Sequence, residues 1–261
     1  MVAHPDRPER MPVKVAVVGA RGRMGRALLA AASAEDSPCR LVAAVVRPRD
    51  AADGTATTVA GLRYSSDLEG ALASCQVVIE FAGQSGLAEL AARCALAGRA
   101  LVSGSTGLEL ATQSALDAAA QRIAVLHAPN MSAGVAVLAE LVERAVRALP
   151  GFAIEIDELH HALKKDSPSG TALRLAERAA AARGGAGAVA LRSRREGEAV
   201  GEHTVALQGP GERLELTHRA QDRAIFAAGA LRAAAWLHGR PAGRYTMADV
   251  LGMLDSPAPR K

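Results

Sequence analysis

Pro12-Val-Lys-Val-Ala-Val-Val18 is a short β-branched run that stops at Gly19-Ala-Arg-Gly22-Arg-Met-Gly25 and gives way to the helical Arg26-Ala-Leu-Leu-Ala-Ala-Ala32. Strand, glycine turn and helix in that order give a G-x-x-G-x-x-G spacing its meaning. The glycines let the backbone turn tightly and approach a pyrophosphate, whose charge rests on the N–H groups that open the helix. An ordinary glycine-containing βα turn has the same spacing, but the flanking strand and helix favour dinucleotide binding.

The alternation continues for a hundred residues. Arg40–Val46, Gln76–Phe81, Ala100–Val102 and Ile123–Leu126 read as strands, and helical segments at Ser66–Leu72, Leu87–Ala97 and Ala111–Gln121 separate them. Strands alternating with helices predict an α/β fold, a Rossmann-like doubly wound parallel sheet. Small polar turns follow the later strands: Ala82-Gly-Gln-Ser85, Ser103-Gly-Ser-Thr-Gly107 and His127-Ala-Pro-Asn130. All would lie on the carboxyl edge, where such sheets bind ligands.

A NAD-binding unit usually ends its second strand in an acid that holds the ribose 2′-hydroxyl. Here Val46 stands in that place and Arg47-Pro48-Arg49 follows. Two guanidinium groups suit a 2′-phosphate, which tilts the reading toward NADPH. Asp50 lies beside them and leaves NADH open.

The pattern changes after residue 130. Val135–Leu149 reads as one amphipathic helix ended by Pro150-Gly151, and Phe152–Asp157 alternates apolar and acidic residues as a half-buried strand does. Val189–Arg192, His203–Leu207 and Arg213–Thr217 read as further strands, the last two joined around Gly209-Pro-Gly211. Asp222–His238 and Tyr245–Leu254 read as helices. This predicts a second α+β domain with a mixed, largely antiparallel sheet. The expected organisation is a leader at 1–11, a dinucleotide-binding domain at 12–130 completed by 239–261, and a substrate-binding and oligomerisation domain at 131–238.

With only one tryptophan, two tyrosines and three phenylalanines among 261 residues, alanine, leucine and valine must fill the core. The net charge of +4 is mild, and no Lys/Arg block interleaves with aromatics, so nucleic-acid binding has no support. Cys39, Cys75 and Cys94 lack metal-ligand spacing, which suits free thiols in a reducing cytosol. The polar leader has no apolar core of a signal peptide, and no apolar run reaches membrane-spanning length. A cytoplasmic protein is expected.

The densest chemistry lies in Glu158-Leu-His160-His161-Ala-Leu-Lys164-Lys165-Asp166-Ser-Pro-Ser169-Gly170-Thr171-Ala172, read as a loop between a strand and a helix start. Histidine titrates near neutrality and can carry a proton. The N–H groups at the helix start suit a carboxylate. Three plainer readings compete: metal-ligating histidines, although no zinc pattern completes them; helix caps at Ser169 and Thr171; and a solvated lysine face. An anion-binding catalytic loop with no metal is preferred.

This stretch, Glu-x-His-His-x-x-Lys-x-Asp-x-Pro-Ser-Gly-Thr-Ala, resembles the signature of the dihydrodipicolinate reductase (4-hydroxy-tetrahydrodipicolinate reductase) family of lysine and diaminopimelate biosynthesis. The resemblance runs nearly end to end. It includes the opening glycine loop, Gly104-Ser-Thr-Gly107, Pro129-Asn-Met-Ser132, Ser193-Arg-Arg-Glu-Gly197, Gly201-Glu-His-Thr204 and Gly211–His218. It implies a cytoplasmic, homotetrameric reductase using NADPH and/or NADH on a small dicarboxylate, without nucleic-acid or membrane partners. His160 would be the proton donor or acceptor and Lys164 would share in catalysis, while His161, Gly170 and Thr171 would hold substrate carboxylates. Gly19, Ala20, Arg21, Gly22, Arg23, Met24, Arg47, Gly104, Ser105, Thr106, Ala128, Pro129, Asn130 and Met131 would contact the cofactor. The last helix would return to the nucleotide domain.

Two departures stand out. Val46 replaces a frequent acid, and the family's Asp-Phe-Thr appears as Glu80-Phe81-Ala82, with Gln84 where a proline is common. The missing threonine hydroxyl removes one possible cofactor hydrogen bond and leaves the catalytic loop untouched. Another two-domain dehydrogenase of an amino-acid-like substrate, of the aspartate dehydrogenase type, would share the glycine loop but not the signature. A non-catalytic nicotinamide-sensing protein would need a partner surface that the sequence does not show.

Overall fold

A computed structural model of the chain describes residues 11–51, 61–185 and 187–253. The leader (apart from Met11) and the end of the C-terminal completion from Leu254 lie outside the described residues. Two compact units emerge. One takes its described residues from Met1–Ala128 and Ala230–Thr246, the other from Pro129–Gly229 and Met247–Pro257. Strands and helices are numbered along the chain.

In the first unit, strands β1 (Val13–Val18), β2 (Cys39–Val45), β3 (Tyr64–Ser65), β4 (Val77–Glu80), β5 (Ala100–Ser103), β6 (Ala124–His127) and β11 (Gly243–Tyr245) form one sheet in the order β11-β6-β5-β4-β1-β2-β3. Every neighbouring pair is parallel. Central strands of such a sheet are covered on both faces and read as continuous apolar runs. Val15, Val17, Val77, Ile79, Leu101 and Leu126 are accordingly buried. Helices α1 (Arg23–Ala32), α3 (Leu68–Ser74), α4 (Leu87–Ala97) and α5 (Leu110–Ala120) alternate with the strands, and α2 (Pro48–Ala51) is a single turn after β2. Asp67 starts α3 by accepting the Gly70 N–H, and Gly98, at φ +67°, ends α4. Alanines of α4 and α5 pack beside Leu90, Leu101 and Leu116. All three cysteines are free and buried, and burial pushes the Cys39 and Cys94 thiols up to about 12.

The expected terminal helix from Tyr245 divides. Gly243–Tyr245 is instead a strand paired with β6, and helix α9 is confined to Met247–Val250. Tyr245 is buried with its ring edge-on to Trp236 and its hydroxyl donating to the Pro241 carbonyl, so it sits in the sheet layer and not on a helix face.

The second unit is built on β7 (Ala153–His160), β8 (Val189–Arg195), β9 (Gly201–Gly209) and β10 (Glu212–Ala220), ordered β10-β9-β7-β8. β7 and β8 are parallel and the other two pairs antiparallel, which makes the sheet mixed and largely antiparallel. Helices α6 (Ala133–Ala148) and α7 (Gly170–Ala182) bury their apolar sides on one face of this sheet. Helix α8 (Ala224–Leu237) begins in this unit and ends in the other.

The register turns the inner face into rows. Val189, Ile154, Leu207 and Leu214 form one row across the four strands, and Leu191, Ile156, Val205 and Leu216 the next. The four central side chains, Ile154, Ile156, Val205 and Leu207, are buried and contribute about 1.5–3 kcal/mol each. The third row is Ser193, Glu158, His203 and His218, and beyond it Arg195 pairs with His160. The interior therefore changes from apolar to ionisable within one residue pair along β7.

Candidate active site

The sequence placed Glu158 and His160 on a loop; they are the last inward positions of β7. The strand extends past Asp157 because it is central, with β8 and β9 completing its hydrogen bonds on both sides as far as Leu159 and His160. Glu158 is 0 % and His160 8 % exposed.

Two residues apart on a strand, both side chains point to the same face. His160 Nδ1 meets Glu158 Oε2 in a close pair. The other carboxylate oxygen, Oε1, accepts from Arg195 Nη2 at 2.8 Å and from the Ser169 N–H at 3.1 Å. Burial alone would raise the Glu158 carboxyl. The Arg195 guanidinium outweighs it, with help from the Ser193 hydroxyl, the Ser169 N–H and His160, and holds it at about 2. Burial pushes His160 below its usual range, with Lys164 and Arg195 reinforcing the shift and Glu158 opposing it. His203 stands edge-on to His160 with ring centroids 5.2 Å apart, its Nε2 lies 3.2 Å from Ser169 Oγ, and burial with His160 lowers it to about 4.

Glu158, His160 and His203 offer three donor atoms within 4.8 Å of one another. A divalent ion could use such a triangle, but both Glu158 oxygens and His203 Nε2 are engaged as described, and two cations, Arg195 and Lys164, act on the same imidazole. The cluster is a network of close polar contacts in this structure: hydrogen bonds at Glu158 Oε1 and His203 Nε2, and an ion pair between Glu158 Oε2 and His160 Nδ1.

The chain between β7 and α7 carries the remaining candidates. Its start is pinned by His161 N–H to the Ala199 carbonyl (2.8 Å) and Ala162 N–H to the Gly197 carbonyl (3.2 Å). Lys164 Nζ donates to both Asp166 carboxylate oxygens, at 2.7 and 2.8 Å. Ser169 caps α7 by accepting the Ala172 N–H, which places Gly170 and Thr171 in its first turn. Thr171 Oγ1 accepts from Asn130 Nδ2 at 3.0 Å. Thus Asn130, expected at the cofactor, joins a substrate candidate within the second unit. Met131 is buried, and a Cβ on Gly229 would lie 1.8 Å from its carbonyl oxygen.

In the first unit the cofactor candidates Gly19–Met24, Arg47, Gly104–Thr106 and Ala128 follow β1, β2, β5 and β6 at the carboxyl edge. The strand order reverses between β1 and β4, the point where doubly wound sheets take a nucleotide. Gly19 adopts φ +80°, and a Cβ on Gly25 would lie 2.2 Å from the Gly19 carbonyl oxygen. Gly22 precedes α1 without a side-chain cap. The Phe81 ring covers Gly104, where a Cβ would come within 2.0 Å. These backbone cradles fit a dinucleotide.

Glu80, which the sequence marked only as a departure, is 1 % exposed and ties the turns together. It accepts from Ser103 Oγ and Ser105 Oγ at 2.7 Å each, from the Gly83 N–H at 3.1 Å and from the Ala82 N–H. His127 Nε2 lies 2.8 Å from the Ser105 carbonyl and extends the tie to β6. Arg47 Nε pairs with Asp50 at 2.9 Å, and Arg49 approaches the same carboxylate at 3.9 Å.

Sequence reasoning assigned no role to His203, Arg195 or Arg223. Arg223 Nη2 lies 3.2 Å from His161 Nε2, adding a guanidinium beside the proposed substrate residues. Arg195 and His203 fall within the motifs Ser193–Gly197 and Gly201–Thr204, but no local pattern gives them a role, because each reaches the cluster through strand register; Arg223 reaches it by chain return.

Residues 13–131 match the family model described as dihydrodipicolinate reductase, N-terminus, and residues 134–251 match its C-terminus. A 4-hydroxy-tetrahydrodipicolinate reductase of Xanthomonas euvesicatoria pv. vesicatoria is 49 % identical, over 92 % of this chain and 98 % of its own. That of Alkalilimnicola ehrlichii is 45 % identical, over 93 % and 100 %. The dipicolinate-bound dihydrodipicolinate reductase of Paenisporosarcina sp. TG-14 superposes with a TM-score of 0.76 at 20 % identity, covering 90 % of this chain and 98 % of that one. Aspartate dehydrogenase of Thermotoga maritima (TM-score 0.51, 12 % identity, 85 % and 95 % covered) shares the fold alone. Two adjoining family models and near full-length relatives agree: the chain belongs to the dihydrodipicolinate reductase family.

Proposed function

We propose that the chain reduces 4-hydroxy-tetrahydrodipicolinate to tetrahydrodipicolinate in lysine and diaminopimelate biosynthesis, with His160 and Lys164 as its catalytic residues. It is an NAD(P)H-dependent oxidoreductase by family; a bound nicotinamide would supply the hydride, and the 4-hydroxyl leaves as water to balance the conversion. The residues of the second unit supply the rest. His160 exchanges the matching proton, and the Lys164 ammonium lends positive charge beside it. Gly170 and Thr171 offer the N-terminus of α7 to a carboxylate, with His161 as a further donor. The observation that carries this reading is the buried Glu158–His160 pair at the end of β7, next to the cap of α7.

In the same reading, 12–130 with its C-terminal completion serves as the nucleotide domain and 131–238 as the substrate domain. The glycine turn, Gly104–Thr106 and Ala128–Met131 hold the cofactor, and Arg47 favours NADPH. A homotetramer in the cytoplasm is inferred from the family resemblance. The outward face of the four-stranded sheet supports a self-association surface: Arg192–Glu155 and Arg194–Asp157 pairs at 2.9 and 3.1 Å leave both charge signs displayed there. Among the described residues, no helix is long and apolar enough to cross a membrane.

The test is turnover of freshly made 4-hydroxy-tetrahydrodipicolinate with NADPH or NADH, followed by loss of the reduced nicotinamide. His160→Gln and Lys164→Met should each lower kcat by about 10²–10⁴-fold. Wild-type turnover in both variants would refute the roles, and no oxidation by the unmodified protein would refute the activity.

A further inference from the structure

We propose that Glu158 is the positioning residue of this active site: its carboxylate holds the Nδ1 side of His160 and reserves Nε2 for the proton that is exchanged. This rests on the reading of His160 as the proton donor and gives Glu158, whose pairing with His160 supports that reading, a role of its own.

The strand sets the geometry. Glu158 and His160 leave the same face of β7, and Glu158 Oε2 meets His160 Nδ1 directly. Arg195 Nη2 (2.8 Å) and the Ser169 N–H (3.1 Å) grip the opposite oxygen, so the carboxylate cannot turn away. The edge-on His203 ring, itself held 3.2 Å from Ser169 Oγ, restricts the His160 ring. A Cβ at Gly201 would stand only 2.9 Å from Nε2, so any larger residue there would crowd that nitrogen. A carboxylate on one imidazole nitrogen fixes the tautomer and stabilises the imidazolium, as in hydrolase triads.

The charged and titratable groups around His160 are Glu158 on β7, Arg195 on β8, His203 on β9 with His218 behind it on β10, and Lys164 in the following loop. Glu158 alone is an anion in contact with His160; the Asp166 carboxylate is paired with Lys164. Neutralising it leaves two cations to oppose protonation of His160.

In the full-length protein, NMR titration of the His160 ring in Glu158→Gln should therefore give a midpoint about 1–2 pH units below wild type. The limb on which kcat falls with rising pH should move the same way, and kcat should drop roughly 10²-fold. Glu158→Asp keeps the charge and should titrate closer to wild type than the glutamine variant. An unmoved His160 titration in Glu158→Gln overturns the proposal, including where both variants lose kcat through a general disturbance of the fold. Wild-type kcat in His160→Gln would instead overturn the underlying proton-donor role, so the two failures are distinguishable.

Discussion

Each unit buries one glutamate at the end of an inner strand, and the two are satisfied in opposite ways. Glu80 accepts from neutral donors, two backbone N–H groups and two serine hydroxyls, spread over the end of β5 and the turns after β4 and β5. Glu158 accepts from a guanidinium and faces an imidazole, with one N–H in support. Neutral donors tie a carboxylate to the backbone and so locate loops. Charged partners couple it to protonation. One unit uses a buried acid to shape a cradle, the other to set the charge of a side chain that reacts.

The largest effect is expected where a charge loses its partner. Arg195→Met leaves a buried carboxylate without its guanidinium and should cost about 3–5 kcal/mol in urea unfolding. The folded Glu158 carboxyl lies at about 2, below its ordinary 4.5. Its contribution, about 3 kcal/mol, is therefore present above pH 4.5 and lost as pH falls toward 2. Arg195→Met should flatten that acid branch, and an unchanged branch would remove the charge side of the contrast.

A smaller effect is expected from Glu80→Ala, which strands the Ala82 N–H and takes the acceptor from two hydroxyls, while the Gly83 N–H keeps Ser105 Oγ at 2.9 Å. Unfolding should be easier by about 2–3 kcal/mol, and the KM for the nicotinamide should rise about tenfold as the turns loosen. The pH dependence of kcat should stay in place. A displaced pH limb in this variant would break the comparison, because Glu80 would then be acting on protonation too.

The smallest is a control at a partly buried surface pair. Asp50 lies between Arg47 and Arg49 at the surface, so Asp50→Asn should alter stability by less than about 0.5 kcal/mol. By releasing both guanidinium groups it should raise the kcat/KM ratio of NADPH over NADH severalfold. A ratio that does not move would detach Arg47 from cofactor choice.

Much of this could be read from the chain because the signals were local. The strand, glycine turn and helix at residues 13–32 sit in one window, and the parallel sheet followed from the alternation. The signature from Glu158 to Thr171 named the catalytic region for the same reason. What escaped was set by register. Strand β7 was ended at Asp157 because Glu158 and His160 occupy inward positions where apolar residues were expected, yet neighbouring strands carry the ladder on. His203 and Arg195 join the cluster only because β9 and β8 flank β7. Glu80 reads in the sequence only as a departure from the family's aspartate, since its hydroxyl partners Ser103 and Ser105 come from the following strand and its turn. The helix assigned from Tyr245 failed because an apolar run of that length does not distinguish a sheet edge from a helix face.

That edge strand has a consequence for synthesis. β11 is encoded after the whole of the second unit's sheet, yet it is the neighbour that closes β6. At roughly 5–20 residues per second, the ribosome needs on the order of ten seconds to travel from His127 to Gly243. Throughout that interval the nascent first unit presents β6 as an open edge, the kind of template that recruits other chains. Expression yield should therefore respond to the codons of the second unit, through the time for which the first waits for its last strand.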